Sequence, residues 1–190
     1  MTVAARPELM TTEQLLALPD DGKERWLIRG ELRERGMTRR NRGHSRVSMK
    51  IGYLLRKWME TQPEPRGEIL GGEAGVRLRR NPDTTVGVDV AYVSPQVADA
   101  DPHETRFFDG IPVLVVEVLS PTDSHEDVTE KVGTYLDAGV KIVWVVDPRF
   151  RTVTVYRPDA EPELFNVTQT MSGSPDLPGF QIAVREVFSR

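Results

Sequence analysis

The stretch Val113-Leu114-Val115-Val116-Glu117-Val118-Leu119 is apolar at every position but one. A strand with one solvated face alternates apolar and polar residues, whereas a strand apolar on both faces belongs in the middle of a covered sheet. Ser120-Pro121 closes this strand. Ser124 to Ala138 then carries Val128, Val132, Tyr135 and Leu136 at helical spacing, with Gly139 as a C-terminal stop. Lys141 to Val146 returns as a second buried strand, Ile142-Val143-Trp144-Val145-Val146, ended by Asp147-Pro148. Thr152 to Tyr156 alternates as its hairpin partner, and Glu163 to Val167 reads as an edge strand.

Upstream, Val88 to Val93 is another apolar strand with one acid, Asp89. Before it, Ile69-Leu70 and Val76-Arg77-Leu78 read as short strands around a glycine-rich bend, Gly71 to Gly75. From His44 to Thr61, Val47, Ile51, Leu54, Leu55, Trp58 and Met59 make the stripe of an amphipathic helix that Pro63 and Pro65 end. Trp26-Leu27-Ile28 and Glu31-Leu32-Arg33 read as a hairpin turning at Arg29-Gly30. Thr11-Thr12-Glu13-Gln14 has the pattern of a helix cap before Leu15, Leu16 and Leu18, and Pro19 stops that helix. A loop with Pro95 and Pro102 and a polar loop over 170–178 complete the reading. The pattern predicts an α/β (α+β) sandwich in which helices flank a mixed central sheet. Residues 1–10 are a flexible lead and 11–190 a single domain.

The chain has 190 residues and no cysteine, which excludes disulfides, zinc-thiolate sites and a cysteine nucleophile. A globule of this length buries roughly 70% of its unfolded surface and needs no staple. No apolar run approaches the roughly 20 residues of a membrane helix, and Met1 to Arg6 has no apolar signal core. The expectation is a soluble cytoplasmic protein without membrane partners. The net charge of −4 leaves only local room for polyanion binding. Arg29, Arg33, Arg35, Arg39, Arg40, Arg42, Arg46 and Lys50, opposed by Glu31 and Glu34, are either such a patch or scattered solvated arginines.

Asp89 and Glu117 carry the chemistry. A buried carboxylate is costly unless it is paired or bound to a cation. One such acid is most often bonded to backbone N–H groups or an arginine at a strand end. Two on neighbouring strands, followed by a helix bearing Lys131, favour a metal site. Carboxylate oxygens suit Mg²⁺ or Mn²⁺. His44, His103 and His125 have no zinc spacing. Lys131 flanks the apolar stripe of its helix, where a lysine commonly snorkels, and an Asp127–Lys131 pairing is ordinary. There is no P-loop, no dinucleotide fingerprint and no nucleophile elbow.

The block from Val113 through Ser120-Pro121-Thr122-Asp123, with Asp127, Lys131, Tyr135, Gly139-Val140 and Trp144-Val145-Val146-Asp147-Pro148, resembles the Uma-two-type restriction endonucleases of the PD-(D/E)XK nuclease superfamily. The resemblance extends to Val88-Asp89-Val90-Ala91-Tyr92-Val93, His44, Gly30-Glu31-Leu32 and Met10 to Gln14, and so covers roughly residues 10 to 160. It implies a restriction-endonuclease-like fold and a metal held by Asp89, Glu117 and the carbonyl of Val118. The superfamily lysine two residues after the glutamate is Leu119 here; in this family it moves to the next helix, which matches Lys131. Val88 stands where a proline is usual. Trp26 stands where a glutamate is frequent, which leaves Glu31 as the accessory acid beside His44 and Asp127.

The expected function is metal-dependent endonucleolytic hydrolysis of nucleic-acid phosphodiesters, DNA foremost, with Arg39, Arg40, Arg42 and Arg46 on phosphates. Cutting both strands of a duplex would favour a homodimer. The rivals are an inactive nuclease fold that binds nucleic acid or protein, and a metal phosphohydrolase acting on mononucleotides.

Overall fold

The computed structural model describes residues 9–36, 41–100 and 106–189; the lead-in residues 1–8, Arg39, Arg40, Pro102 and His103 lie outside them. In chain order the elements are α1 (Thr12–Leu16), β1 (Lys23–Ile28), β2 (Glu31–Gly36), α2 (Arg42–Met59), β3 (Glu68–Arg79), β4 (Thr84–Val93), α3 (Pro95–Ala98) and β5 (Phe108–Asp109). Then follow β6 (Leu114–Val118), α4 (His125–Ala138), β7 (Ile142–Asp147), β8 (Thr152–Tyr156), β9 (Glu163–Asn166), β10 (Thr170–Ser172), β11 (Gln181–Ala183) and α5 (Val184–Val187). No helix among the described residues is long and apolar enough to cross a membrane.

The main sheet runs β2-β1-β4-β6-β7-β8-β9, with β3 alongside β4 and β5 on β3. It is mixed, as the sequence predicts: β6 and β7 are parallel across the α4 connection, while β7–β8 and β8–β9 are antiparallel hairpins. β3 follows β4 from Glu68↔Val93 to Arg79↔Thr84 and so occupies one whole edge. A strand has only two edges, so β1 and β6 must share the other. β1 meets it at Thr85, and β6 takes Val90 to Tyr92. Asp89 sits where this second edge passes from one neighbour to the other.

β3 differs from the two short strands expected around a glycine bend. It is one 12-residue strand whose register slips between Gly71↔Val90 and Ala74↔Val88. Gly72 and Glu73, at φ 74° and 64°, stand opposite a single residue of β4, so the bulge adds one residue to β3. The bulge absorbs the glycines without ending the ladder, and it lies opposite Asp89.

Side chains alternate across the sheet. Leu114, Val116 and Val118 face a core with α2, β8 and the C-terminal segment. Val115, Val143 and Val145 face a second core with Val132 and Tyr135 of α4. Glu117 belongs to this second face by alternation. Residues 170–178 are less loop-like than their polarity suggests: β10 pairs with β11, and Met171 and Leu177 are fully buried.

The predicted cap of α1 is present, with the Thr11 hydroxyl accepting from the Gln14 N–H. Buried Asp83 fastens this helix to the sheet. It accepts from the Thr12 N–H at 2.8 Å and the Thr12 hydroxyl at 2.6 Å, and that hydroxyl lies 2.7 Å from the Thr85 hydroxyl. Asp83→Ala leaves these donors unanswered in a buried place, which costs about 1–3 kcal/mol. Differential scanning calorimetry should show a fall of about 2–4 °C per kcal/mol. Asp20→Ala, at an exposed position, should stay within about 0.5 kcal/mol of the parent; equal effects of the two would remove Asp83 as the fastening.

Candidate active site

Asp89 is 5% exposed and Glu117 8%. The N–H of Val118 donates to Asp89 Oδ2 at 2.7 Å, which ties the end of β6 to β4 just beyond their ladder. His44 is buried in the first turn of α2, which Asn41 caps. Its Nε2 lies 3.1 Å from Asp89 Oδ1 and 3.2 Å from Oδ2. Glu73 projects from the bulge of β3. One ligand atom each from His44, Glu73 and Asp89 lies within 4.8 Å of the others, close enough to share one metal ion.

Glu117 is met from α4. Lys131 Nζ donates to its Oε2 at 2.7 Å, and the Tyr135 hydroxyl donates to Oε1 at 2.5 Å. Lys131 and Tyr135 are one turn apart, so both reach the same side of the helix. Beside them, Asp127 belongs to the capping box of α4 with Ser124. Arg35 spans from Glu24 to Asp123 at 2.8 and 3.1 Å. Arg35, Glu117, Asp123, Asp127 and Lys131 line one small recess.

The electrostatics separate the two acids. Burial by itself would raise the Asp89 carboxyl, but hydrogen bonding and charge from His44, with hydrogen bonds from Glu73 and the Val118 N–H, hold it at about 2. Burial pushes Glu117 up, and Asp89 adds to this, while Lys131 pulls the other way. Burial would lower Lys131, but the Glu117 carboxylate more than offsets it and keeps the ammonium charged. Burial and Glu117 together raise the Tyr135 phenol well above its ordinary value, so it remains a donor.

The residues singled out from sequence fall into three groups. His44 and Asp89 meet directly, while Glu117 and Lys131 form the adjoining pair. Asp127 stands at the rim. Glu31 lies elsewhere: it pairs with Arg33 at 2.9 Å and lines a different recess with Thr129 and Glu130. Arg42 and Arg46 are exposed on α2, and Arg39 and Arg40 fall outside the described residues. Sequence reading missed Glu73 and the polar part of Tyr135. A single acid in Gly71-Gly72-Glu73-Ala74-Gly75 was the only signal for the first; Tyr135 was counted with the apolar stripe.

A strand-borne aspartate and glutamate, with a lysine on the glutamate, lie in a mixed sheet between helices. The family model of Uma2, described as "Putative restriction endonuclease", matches residues 12–185, and the chain belongs to that family. The fold is similar to a crystal structure described as "a putative nuclease belonging to DUF820" from Anabaena variabilis. The TM-score is 0.76 and the identity 20%, over 94% of this chain and 97% of that one. No curated protein matches the sequence significantly.

The Asp89 environment predicts a pH signature in metal-free protein. A carboxyl held below its usual value of 3.8 binds its proton less readily when folded. The stability it contributes is therefore present above that value and is lost as pH falls towards about 2. Urea unfolding of the parent and Asp89→Asn should show a parental advantage at pH 5 that shrinks steadily on acidification. A constant difference down to pH 2.5 would mean that His44 and Val118 do not hold the ionised carboxylate.

Proposed function

We propose that this chain is a metal-dependent endonuclease, built as one nuclease-fold domain over residues 11–190, that hydrolyses phosphodiester bonds in nucleic acid, DNA foremost. The observation that carries this reading is the burial of Asp89 and Glu117 beside the gap in β4 pairing, with Lys131 Nζ 2.7 Å from Glu117.

The donor set fits Mg²⁺ or Mn²⁺. Carboxylate oxygens are hard ligands, and an imidazole nitrogen from His44 is compatible with manganese. Asp89, Glu117 and the Val118 carbonyl would be the principal ligands. In an extended strand the N–H and C=O of one residue point to the same side, and the Val118 N–H already points at Asp89. Glu73 and His44 would complete the shell around Asp89. Such a cation, when bound, polarises a phosphate and lowers the pKa of a coordinated water.

The remaining work falls to the chain's own groups. His44 and the Val118 N–H fix the Asp89 carboxylate. Tyr135 fixes Glu117, which leaves Lys131 as the mobile donor: its ammonium can turn towards the attacking water or a phosphate oxygen. Lys131 and Glu73 also line a cleft of about 350 Å³ in which Lys23, Arg25, Arg35 and Arg106 stand among Asp20 and Glu24; Lys23, Arg25 and Arg35 are ion-paired there, so a phosphate backbone would have to exchange for their acidic partners. Arg42 and Arg46 add charge at the start of α2, on the His44 side.

Three variants test this reading. Mn²⁺ at 100 times its Kd should stabilise the parent by about 2.7 kcal/mol, and Asp89→Ala should lose that gain in calorimetry. Lys131→Ala should keep most of the gain but lose cleavage of single- and double-stranded DNA and RNA. Lys131→Arg should also cleave poorly, because a planar guanidinium does not replace a compact ammonium. Equal melting shifts in the parent and Asp89→Ala would defeat the metal assignment, and full cleavage by Lys131→Ala would return Lys131 to a structural ion pair. In a separate titration, Arg42→Ala with Arg46→Ala should lower the log–log salt slope of binding by roughly 0.7–0.9 per lost contact. An unchanged slope would make both plain surface.

A further inference from the structure

α2 buries one stripe and leaves another uncovered. Ser45, Ser48, Met49, Gly52, Tyr53 and Arg56 recur at spacings of three and four, so they share a face. That face looks across to Ile69–Gly72 of β3 and encloses a groove of about 630 Å³. His44 and Asp89 line it as well, so the groove opens onto the candidate metal cluster. Met49 is 75% exposed and Tyr53 59%, although the other large apolar side chains of α2 lie in the core. Between them the wall is low: a Cβ placed on Gly52 would meet nothing within 4 Å. The groove is therefore an apolar slot with one aromatic wall.

The helix that forms one wall is cationic, although Arg56, which lines the groove, is paired with Glu60 at 3.0 Å. α2 carries Arg42, Arg46, Lys50, Arg56 and Lys57 and no acidic residue, in a chain whose net charge is −4. Lys50 Nζ lies over the Tyr53 ring at 5.9 Å from its centre, so one face carries a cation and a flat group would stack on the other face or displace the ammonium. Nine residues separate His44 from Tyr53, which at 1.5 Å per residue is about 14 Å along the helix.

We propose that this groove is a base-binding subsite for an unpaired nucleotide flanking the phosphate to be cut, with the base stacked on Tyr53 against Met49 and its backbone met by Lys50 and Arg46. The inference rests on the nuclease reading and deepens it. A paired base in a duplex has both faces stacked and its edge hydrogen-bonded, so it cannot enter a slot walled by a side-chain ring. An unpaired base can, and aromatic stacking accepts any base. The site thus selects single-stranded or locally unpaired nucleic acid.

Fluorescence anisotropy tests this with a labelled single-stranded 20-mer and its duplex, with Ca²⁺ in place of Mg²⁺. The full chain should bind the single strand more tightly. Tyr53→Ala should weaken that binding about 5- to 150-fold, the range that base–aromatic stacking carries, without changing the salt slope. Gly52→Leu, a better helix former that fills the slot, should weaken it similarly. Lys50→Ala should lower the slope by roughly 0.7. All three should keep the parental melting shift with Mn²⁺, which shows that fold and metal cluster are intact. Parental affinity in both Tyr53→Ala and Gly52→Leu, or a duplex bound as tightly as the single strand, overturns the subsite and leaves the nuclease reading standing. A dimer in sedimentation that Tyr53→Ala dissociates also overturns it, because a second copy then covers the groove. No binding of either nucleic acid, with the melting shift retained, brings down the nuclease reading itself and the subsite with it.

Discussion

β4 has two neighbours on a single edge, and the site follows from that sharing. β1 takes the edge at Thr85 and β6 takes it from Val90, so the Asp89 position between them is free of ladder bonds on that side. The Asp89 carboxylate fills the place of a missing partner strand by accepting the Val118 N–H. On the opposite edge, the bulge of β3 turns Glu73 towards the same point. Backbone groups in a sheet must be answered, and here an acidic side chain provides the answer. The interruption in pairing and the placement of the acids are one feature of the fold.

Much of this architecture is legible in the sequence because it rests on periodicity. The doubly apolar run at 113–119 and the stripe at Val47, Ile51, Leu54, Leu55 and Trp58 identify the central strand and the long helix. The two buried acids stand out because nothing else in their strands is charged. What escapes is register. Glu73 can be connected with Asp89 only when β3 is known to be a continuous strand in which Gly72 and Glu73 together face one residue of β4. Local composition suggests a bend there, since glycine favours both. Glu31 fails for a similar reason: it opens β2, opposite Ile28 at the far end of the hairpin, and its carboxylate is drawn to Arg33. The strand of Glu31 is readable in the sequence and that of Glu73 is not, and the direction of each acid depends on pairing.

The position of Lys131 also has a geometric reason. Side chains at 117 and 119 point to the same face of β6, towards α4. Leu119 is partly buried against the core on that face, next to Val128 and Leu136. A lysine at 119 would have to leave this packing to reach Glu117. α4 crosses the same face, and residues 131 and 135, one turn apart, overlie Glu117. The helix can supply the ammonium and the phenol together while the strand keeps its apolar contact.

Asp89 and Glu117 are neighbours with opposite tendencies. The first is held ionised by His44, Glu73 and a backbone N–H, whereas burial draws the second towards its neutral form and Lys131 resists this. Carboxylates driven apart in this way tend to take different tasks. In the metal-free arrangement the Lys131 ammonium is spent on Glu117. Removing that ammonium from a buried carboxylate without a replacement would leave an unpaired charge, at a cost of several kcal/mol. Lys131 is therefore held on Glu117 in the arrangement described. The Lys131–Glu117 ion pair thus holds both side chains in this arrangement.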